Sequence, residues 1–257
     1  MAGELKIALV QSQLLWENPI ANRALFSRKI NMLSSHTDVV VLPEMFTTAF
    51  TMDPQHIEVS EGISTVEWMK EMATKKDVAI VGSIIFFEKG NYYNRLYFVD
   101  PNGKVDHYDK RHTFTLAGEH KVYQAGEEKV VVTYNGFDFY PLICYDLRFP
   151  VWSRNIDDYD VLIYVANWPK QRISAWDTLL KARAIENMAY CVGVNRIGSD
   201  GLGHEYPGHS AVYDVMGNRL AYSEKEEVLY VTLSKDHIMT NRTKLKFLQD
   251  RDMFSLR

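Results

Sequence analysis

Two apolar runs in this sequence stop on a side chain that can do chemistry. Val39-Val40-Val41-Leu42-Pro43 ends on Glu44, and residues 137–143 end on Cys144, which opens Cys144-Tyr145-Asp146-Leu147-Arg148-Phe149-Pro150. A carboxylate at the mouth of a buried strand is poorly solvated, and its pKa rises toward the range useful to a general base. The bland alternative is an exposed loop glutamate. A strand that stops at a nucleophile and turns sharply presents that side chain above the sheet, as a nucleophile elbow presents its serine. A buried inert thiol is the alternative there. Lys110, in Asp109-Lys110-Arg111-His112, follows another strand. A lysine brought near a thiol favours the thiolate and can stabilise an oxyanion. Glu119, in Ala117-Gly118-Glu119-His120, adds a second acid. Taken singly, both also read as solvated loop charges, and Cys191, flanked by apolar residues, reads as core.

Rival constellations are weaker. No local signature ties any of the eight histidines to Cys144 as a protease pair. His204 and His209 are five apart with Pro207 between them, so they cannot share a helical zinc-binding face. Gly198, Gly201 and Gly203 do not make a dinucleotide-binding fingerprint, and no helix follows them.

Strands and helices alternate along the chain and must position these groups. Residues 5–10 read as a strand, and Asn18-Pro19 opens a helix to about Ser35. A β-branched run at 38–42 reads as a buried strand. Ser64 with Glu67 resembles a capping box for a helix to about Lys76. Strands are expected at 78–87, 96–100 and 104–108, the last two joined by Pro101-Asn102-Gly103. Asn135-Gly136 joins 130–134 to 137–143 as a hairpin. After a buried strand at 160–166, the spacing of Ile173, Trp176, Leu180, Ala184 and Met188 predicts a helix to Tyr190. Strands at 210–215, 219–223 and 228–233 precede a polar tail, 235–257. That tail carries six Lys/Arg against three Asp, a net +3 that leaves −7 for the rest. It is a solvated helix or the contact for an acidic neighbouring subunit.

Composition bounds the classes. With 257 residues, 46% hydrophobic and 24% charged, the chain suits one α/β domain with mixed sheets. Folding at this size buries roughly 70–75% of the unfolded surface, so no disulfide staple is required. A net charge of −4 gives no basic field for nucleic acid or an anionic membrane. No apolar run approaches the ~20 residues of a membrane span, and no secretory signal is evident at the start. Two cysteines outside any CxxC pair fit a reducing cytoplasm and no structural zinc.

As an ordered set, Leu42-Pro43-Glu44, Asp109-Lys110-Arg111-His112 and the Cys144 to Pro150 tract resemble the Glu–Lys–Cys triad of the nitrilase superfamily, the carbon–nitrogen hydrolases. The likeness continues through Ala166-Asn167-Trp168-Pro169, Ala182-Arg183-Ala184-Ile185-Glu186-Asn187, Tyr190, Val194-Asn195-Arg196, Gly208-His209-Ser210 and the Gly217 turn. It spans nearly the whole chain and is greatest toward the omega-amidase branch. One departure is Val151, where the wider superfamily often has Glu after Phe-Pro.

The resemblance implies a single domain, 1–257, folded as a four-layer α-β-β-α sandwich. It implies that Cys144 attacks an amide carbonyl, Glu44 moves the proton, Lys110 and the Tyr145 N–H stabilise the oxyanion, and Glu119 holds Lys110. The implied substrate is a short dicarboxylic monoamide such as 2-oxoglutaramate. Its free carboxylate calls for an arginine, Arg148 or Arg172, although Arg148 could instead pair with Asp146. Phe114, Tyr145 and Trp168 are the expected pocket walls. A hydrolase for nitriles, N-carbamoyl compounds or other small amides, and a non-catalytic binding scaffold, are the other readings. No metal or organic cofactor is implied. A homodimer is, packed through the helices after the nucleophile and after Asn167-Trp168, with the Trp176 and Leu180 stripe between subunits.

Overall fold

Alternate side chains of β1 (Glu4–Gln11) enter two different cores: Leu5, Ile7 and Leu9 join one, Ala8 and Val10 the other. In β2 (Val39–Val41), Val39 and Val41 side with Leu9, and Val40 with Ala8. Successive strand residues point to opposite faces, so a strand apolar at every position must be covered on both. The computed structural model, which describes residues 3–34 and 36–256, shows what covers them.

The further strands are β3 (Ala79–Glu88), β4 (Asn91–Val99), β5 (Val105–Asp109), β6 (Val132–Tyr134), β7 (Phe137–Ile143), β8 (Val161–Ala166) and β9 (Tyr190–Asn195). They are followed by β10 (Ile197–Ser199), β11 (Glu205–Pro207), β12 (Ser210–Tyr213), β13 (Arg219–Ser223) and β14 (Glu227–Ser234). The α-helices are α1 (Pro19–Asn31), α2 (Ser60–Lys76), α3 (Pro150–Ser153), α4 (Ile173–Asn187) and α5 (Lys235–Leu245). One six-stranded sheet runs β14-β1-β2-β3-β4-β5, the other β13-β12-β9-β8-β7-β6, and β10 and β11 pair apart. In each sheet the middle strands are parallel: β1, β2 and β3 in one, β7, β8 and β9 in the other.

The sheets face each other across Ile7, Leu9, Val39, Phe98, Phe139 and Ile143. Phe26 and Ile30 of α1 and Met69 and Met72 of α2 cover the outer face of the first sheet. Trp176 and Leu180 of α4 cover the second, so close to β9 that a Cβ on Gly193 would lie 2.4 Å from Leu180 Cδ1. Gln11 ties the sheets: its amide donates to the Ser223 and Lys225 carbonyls and accepts from Ser210 N. The result is the expected α-β-β-α sandwich. No helix among the described residues is long and apolar enough to cross a membrane.

Several local expectations are corrected. The Asn18 side chain caps α1 through Ala21 N, but the helix ends at Asn31 with Met32 at its C-cap; Ser35 lies outside the described residues. Helix α2 starts a turn before Ser64, because tertiary contacts anchor that turn: Glu61 pairs with Arg23, and Gly62 packs on Phe86. β4 begins at Asn91 rather than 96, since Lys89 (φ 48°) and Gly90 (φ 86°) make a tight hairpin with β3. α4 stops at Asn187, Met188 adopts φ 48°, and Tyr190 starts β9, a central strand the helical spacing concealed. The Trp176 and Leu180 stripe is fully buried within one chain, so it cannot lie between subunits. In the tail, Lys235 and Arg242 reach Asp160, and Arg251 pairs with Asp158, so three of its charges meet acids of the same chain.

Candidate active site

Parallel strands deliver their following loops to one end of a sheet, which is where ligands bind in open α/β folds. Here two sheets do so toward each other. Glu44 follows β2 and Lys110 follows β5 on one side; Cys144 follows β7 and Asn167 follows β8 on the other. Glu119 arrives on a short 3-10 turn, Glu119–Lys121. Lys110 is held by its own backbone, donating to Asn94 O and accepting from Gly126 N. A side chain on Gly126 would put its Cβ 2.2 Å from Asp109 O, so only glycine permits that approach.

The four residues singled out for chemistry meet. Lys110 Nζ lies 2.8 Å from Glu44 Oε1 and 2.9 Å from Glu119 Oε2, and all three side chains are at most 1% exposed. Glu44 Oε2 accepts from Asn167 N at 2.8 Å, and the Asn167 carbonyl is 4.0 Å from Cys144 Sγ. Glu119 also accepts a short bond from Phe114 N. Cys144 sits at φ 44°, a left-handed conformation that costs a non-glycine residue energy and clusters at functional sites. Asp146, fully buried, pins that turn by accepting from Ile143 N, Tyr108 Oη, His112 N and His112 Nδ1. It therefore has its own partners, and Arg148 is not among them.

Burial and charge oppose each other at every ionisable group. Burial raises the Cys144 thiol well above its ordinary range, the negative charge of Glu44 adds to this, and Lys110 works against it. The sulfur therefore rests as a thiol and needs a base to ionise. Burial would also strip Lys110 of its proton, yet Glu119 and Glu44 outweigh it and hold the ammonium above the usual lysine range. Glu119 is raised by burial and by repulsion from Glu44, against the pull of Lys110. An ion pair at about 4 Å is worth about 4 kcal/mol at an effective dielectric near 20, against several kcal/mol to desolvate each ion. One lysine shared by two carboxylates is what makes this cluster affordable.

Cys144 opens into a pocket of about 470 Å³, a volume suited to a small molecule. All five expected binding residues line it: Phe114, Tyr145, Arg148, Trp168 and Arg172. The Arg148 guanidinium stacks 5.0 Å from the Trp168 ring and that of Arg172 5.0 Å from Phe114. Among the described residues neither guanidinium takes part in an ion pair. The sequence reading missed two contributors. Asn94 of β4 donates to both carboxylates, and the β10–β11 hairpin brings Asp200, His204 and Tyr206 to the pocket wall. The Lys89-Gly90 turn was the signal for the first, since it extends β4 back to Asn94. His204 pairs with Asp200 and His209 with Asp177, far from any shared face. Cys191 is buried in β9 with its thiol raised by burial.

A facing pair of mixed sheets that converges such a cluster on a small-molecule pocket defines the class as a hydrolase of carbon–nitrogen bonds other than peptide bonds. The carbon-nitrogen hydrolase family model matches residues 6–242, and the chain belongs to that family, within the nitrilase superfamily. It is 42% identical to the omega-amidase YafV of Yersinia enterocolitica over 98% of both chains. It is 35% identical to the 2-oxoglutaramate amidase of Bacillus subtilis, over 86% of this chain and 87% of that one. A crystal structure of a CN-hydrolase superfamily protein from Xanthomonas campestris, with an arsenic adduct in its active site, matches at TM-score 0.95 and 38% identity over 99% of both chains.

Proposed function

We propose that this protein is a cysteine-dependent omega-amidase that hydrolyses the terminal amide of a short dicarboxylic monoamide, converting 2-oxoglutaramate and water to 2-oxoglutarate and ammonia. The observation that carries the substrate class is the pair of unpaired guanidiniums, Arg148 and Arg172, on the wall of the Cys144 pocket. A free carboxylate is the ligand that planar, always-charged donors of this kind select. The names of the YafV and Bacillus relatives agree with it.

Glu44 takes the thiol proton as Cys144 Sγ attacks the amide carbon, and returns it to the leaving nitrogen. Lys110 and the N–H of Tyr145 receive the oxyanion; that N–H lies in the first turn of a 3-10 segment, where no intrahelical acceptor exists. Ammonia leaves, Glu44 activates a water, and the thioester is hydrolysed to the second carboxylate. Glu119 holds Lys110 in place. An active site able to carry an arsenic adduct, as in the Xanthomonas relative, is what a reachable thiol provides.

Ammonia release from 2-oxoglutaramate, glutamine, asparagine, a nitrile and an N-carbamoyl amino acid tests the reading. Turnover is expected for 2-oxoglutaramate well above the rest; preference for another compound would move the substrate class. Arg148→Gln and Arg172→Gln should each raise KM for the carboxylate-bearing amide by about 10–100-fold, the worth of a hydrogen bond to a charged group. A neutral amide such as butyramide should be unaffected, and equal losses on both would end the carboxylate assignment. Glu44→Gln should keep Cys144 open to alkylation while lowering turnover by about 10²–10⁴-fold. Unchanged turnover removes Glu44 from the base role.

The same proposal includes a homodimer in a reducing cytoplasm. Its contact is the outer side of α3 and α4, where Leu179 and Ala182 are half-buried and Ile185 is exposed, joined by the 235–257 tail. Sedimentation equilibrium at about twice the 29.7 kDa chain mass is the expected result.

A further inference from the structure

Asn94 is buried in the middle of β4, and its amide nitrogen stands between the two acids of the site, 2.8 Å from Glu44 Oε1 and 3.2 Å from Glu119 Oε1. A primary amide carries two N–H donors, so one side chain serves both carboxylates. Lys110 Nζ bridges the same two oxygens from its own position, at 2.8 and 3.1 Å. The other end of the amide is left alone: Asn94 Oδ1 is buried and has no hydrogen-bond partner among the described residues. Buried acceptors without partners are rare and each requires an explanation. Turning the amide over would set its oxygen against two carboxylate oxygens, so only the donating orientation suits a pair of anions. The orphaned oxygen is the cost of that orientation.

Glu44 is gripped from the second sheet as well. Asn167 donates its backbone N–H to Glu44 Oε2 and its side-chain amide to Glu44 O at 2.6 Å. The charged groups facing Glu44 are Lys110 and Glu119 from the first sheet's loops, and the titratable Cys144 faces it from the second. One asparagine amide from each sheet thus closes on the carboxylate between them.

We propose that Asn94 is a positioning residue of the reaction: it lets Glu44 and Glu119 stand ionised side by side and fixes the Glu44 carboxylate for proton transfer with Cys144. This rests on Glu44 being the base. Without the bridge, repulsion between the two acids is relieved by taking up a proton, and the base is withdrawn as pH falls from a higher starting point.

The test is Asn94→Asp, which keeps the shape and removes both donors, with Glu44→Gln alongside. The expected result is kcat lower by about 10²-fold, the scale of a misplaced catalytic group, with KM changed less than about threefold. The acid limb of the kcat/KM profile should move up by about one pH unit, as removing donors from a carboxylate raises its pKa. Asn94→Ser, smaller and with one donor, should give an intermediate kcat and limb, and reads the same quantities if Asn94→Asp does not fold. A dead Glu44→Gln with wild-type kcat and acid limb in the Asn94 variants overturns the assignment of Asn94 and leaves the base intact. An active Glu44→Gln overturns the base, and the positioning role with it. A fall in folded yield with kcat per folded enzyme and pH profile unchanged makes Asn94 structural, which also overturns the proposal.

Discussion

Cys144→Ala is expected to lower ammonia release by on the order of 10⁶-fold, the scale on which a lone nucleophile fails when removed. The pocket has no substitute. Its other side chains with a reactive heteroatom are already engaged: Lys110 as an ammonium between two carboxylates, and Tyr206 Oη in a 2.7 Å bond to Asp200. Alanine at φ 44° carries the same backbone strain as cysteine and fills less space, so the fold should survive the change. Cys144→Ser should fare little better, because a carboxylate base ionises a hydroxyl far less readily than a thiol. The wild-type thiol, raised by burial and by Glu44, should alkylate slowly at pH 7 and progressively faster above pH 9. Residual turnover of more than about 1% in a cysteine-free site would place the nucleophile elsewhere, since proximity and oxyanion stabilisation alone do not sustain that rate.

Lys110→Met is expected to strike both activity and folding. It removes the one cation in contact with Glu44 and Glu119, and breaking a buried ion pair from one side costs about 3–5 kcal/mol. Loss of an oxyanion partner adds about 10²–10³-fold in rate. The sign of the pH dependence follows from Glu119. Burial already raises it, and Lys110 is the main group opposing that rise, so the variant lifts it further. A carboxyl that binds its proton more tightly folded than unfolded favours folding at low pH. Stability then falls as pH climbs from the unfolded value of about 4.3 through the raised folded one. Urea unfolding at pH 5 and pH 8 should therefore show a smaller penalty relative to wild type at pH 5. A penalty equal at both would mean that Lys110 does not neutralise these acids.

The sequence alone determined the chemistry-bearing positions. Glu44 and Cys144 each end a run of apolar residues, and such a run can only be a covered strand; whatever follows it must emerge at a sheet end. The doubling of that pattern, with Lys110 and the Asn167-Trp168 segment in order, made the family legible before any coordinate. The α1 cap at Asn18 and the Asn135-Gly136 hairpin were legible for a similar reason: the signal is local and lies within a few residues.

Only the tertiary structure decided what depends on two distant segments at once. The start of α2 is set by Arg23 and Phe86, not by its own Ser64. β9 looks helical in sequence because Met188 and Ala189 continue the spacing of α4, and it becomes a strand because β8 and β12 offer it partners on both edges. Asn94 carries no mark in sequence, being one polar residue in a tyrosine-rich strand. Its role exists only because the β3–β4 hairpin and β5 bring it beside acids 50 and 25 residues away. Hydrophobic period and turn chemistry are properties of neighbours along the chain. The protonation of a buried thiol is not, because burial and facing charges come from every layer of the fold.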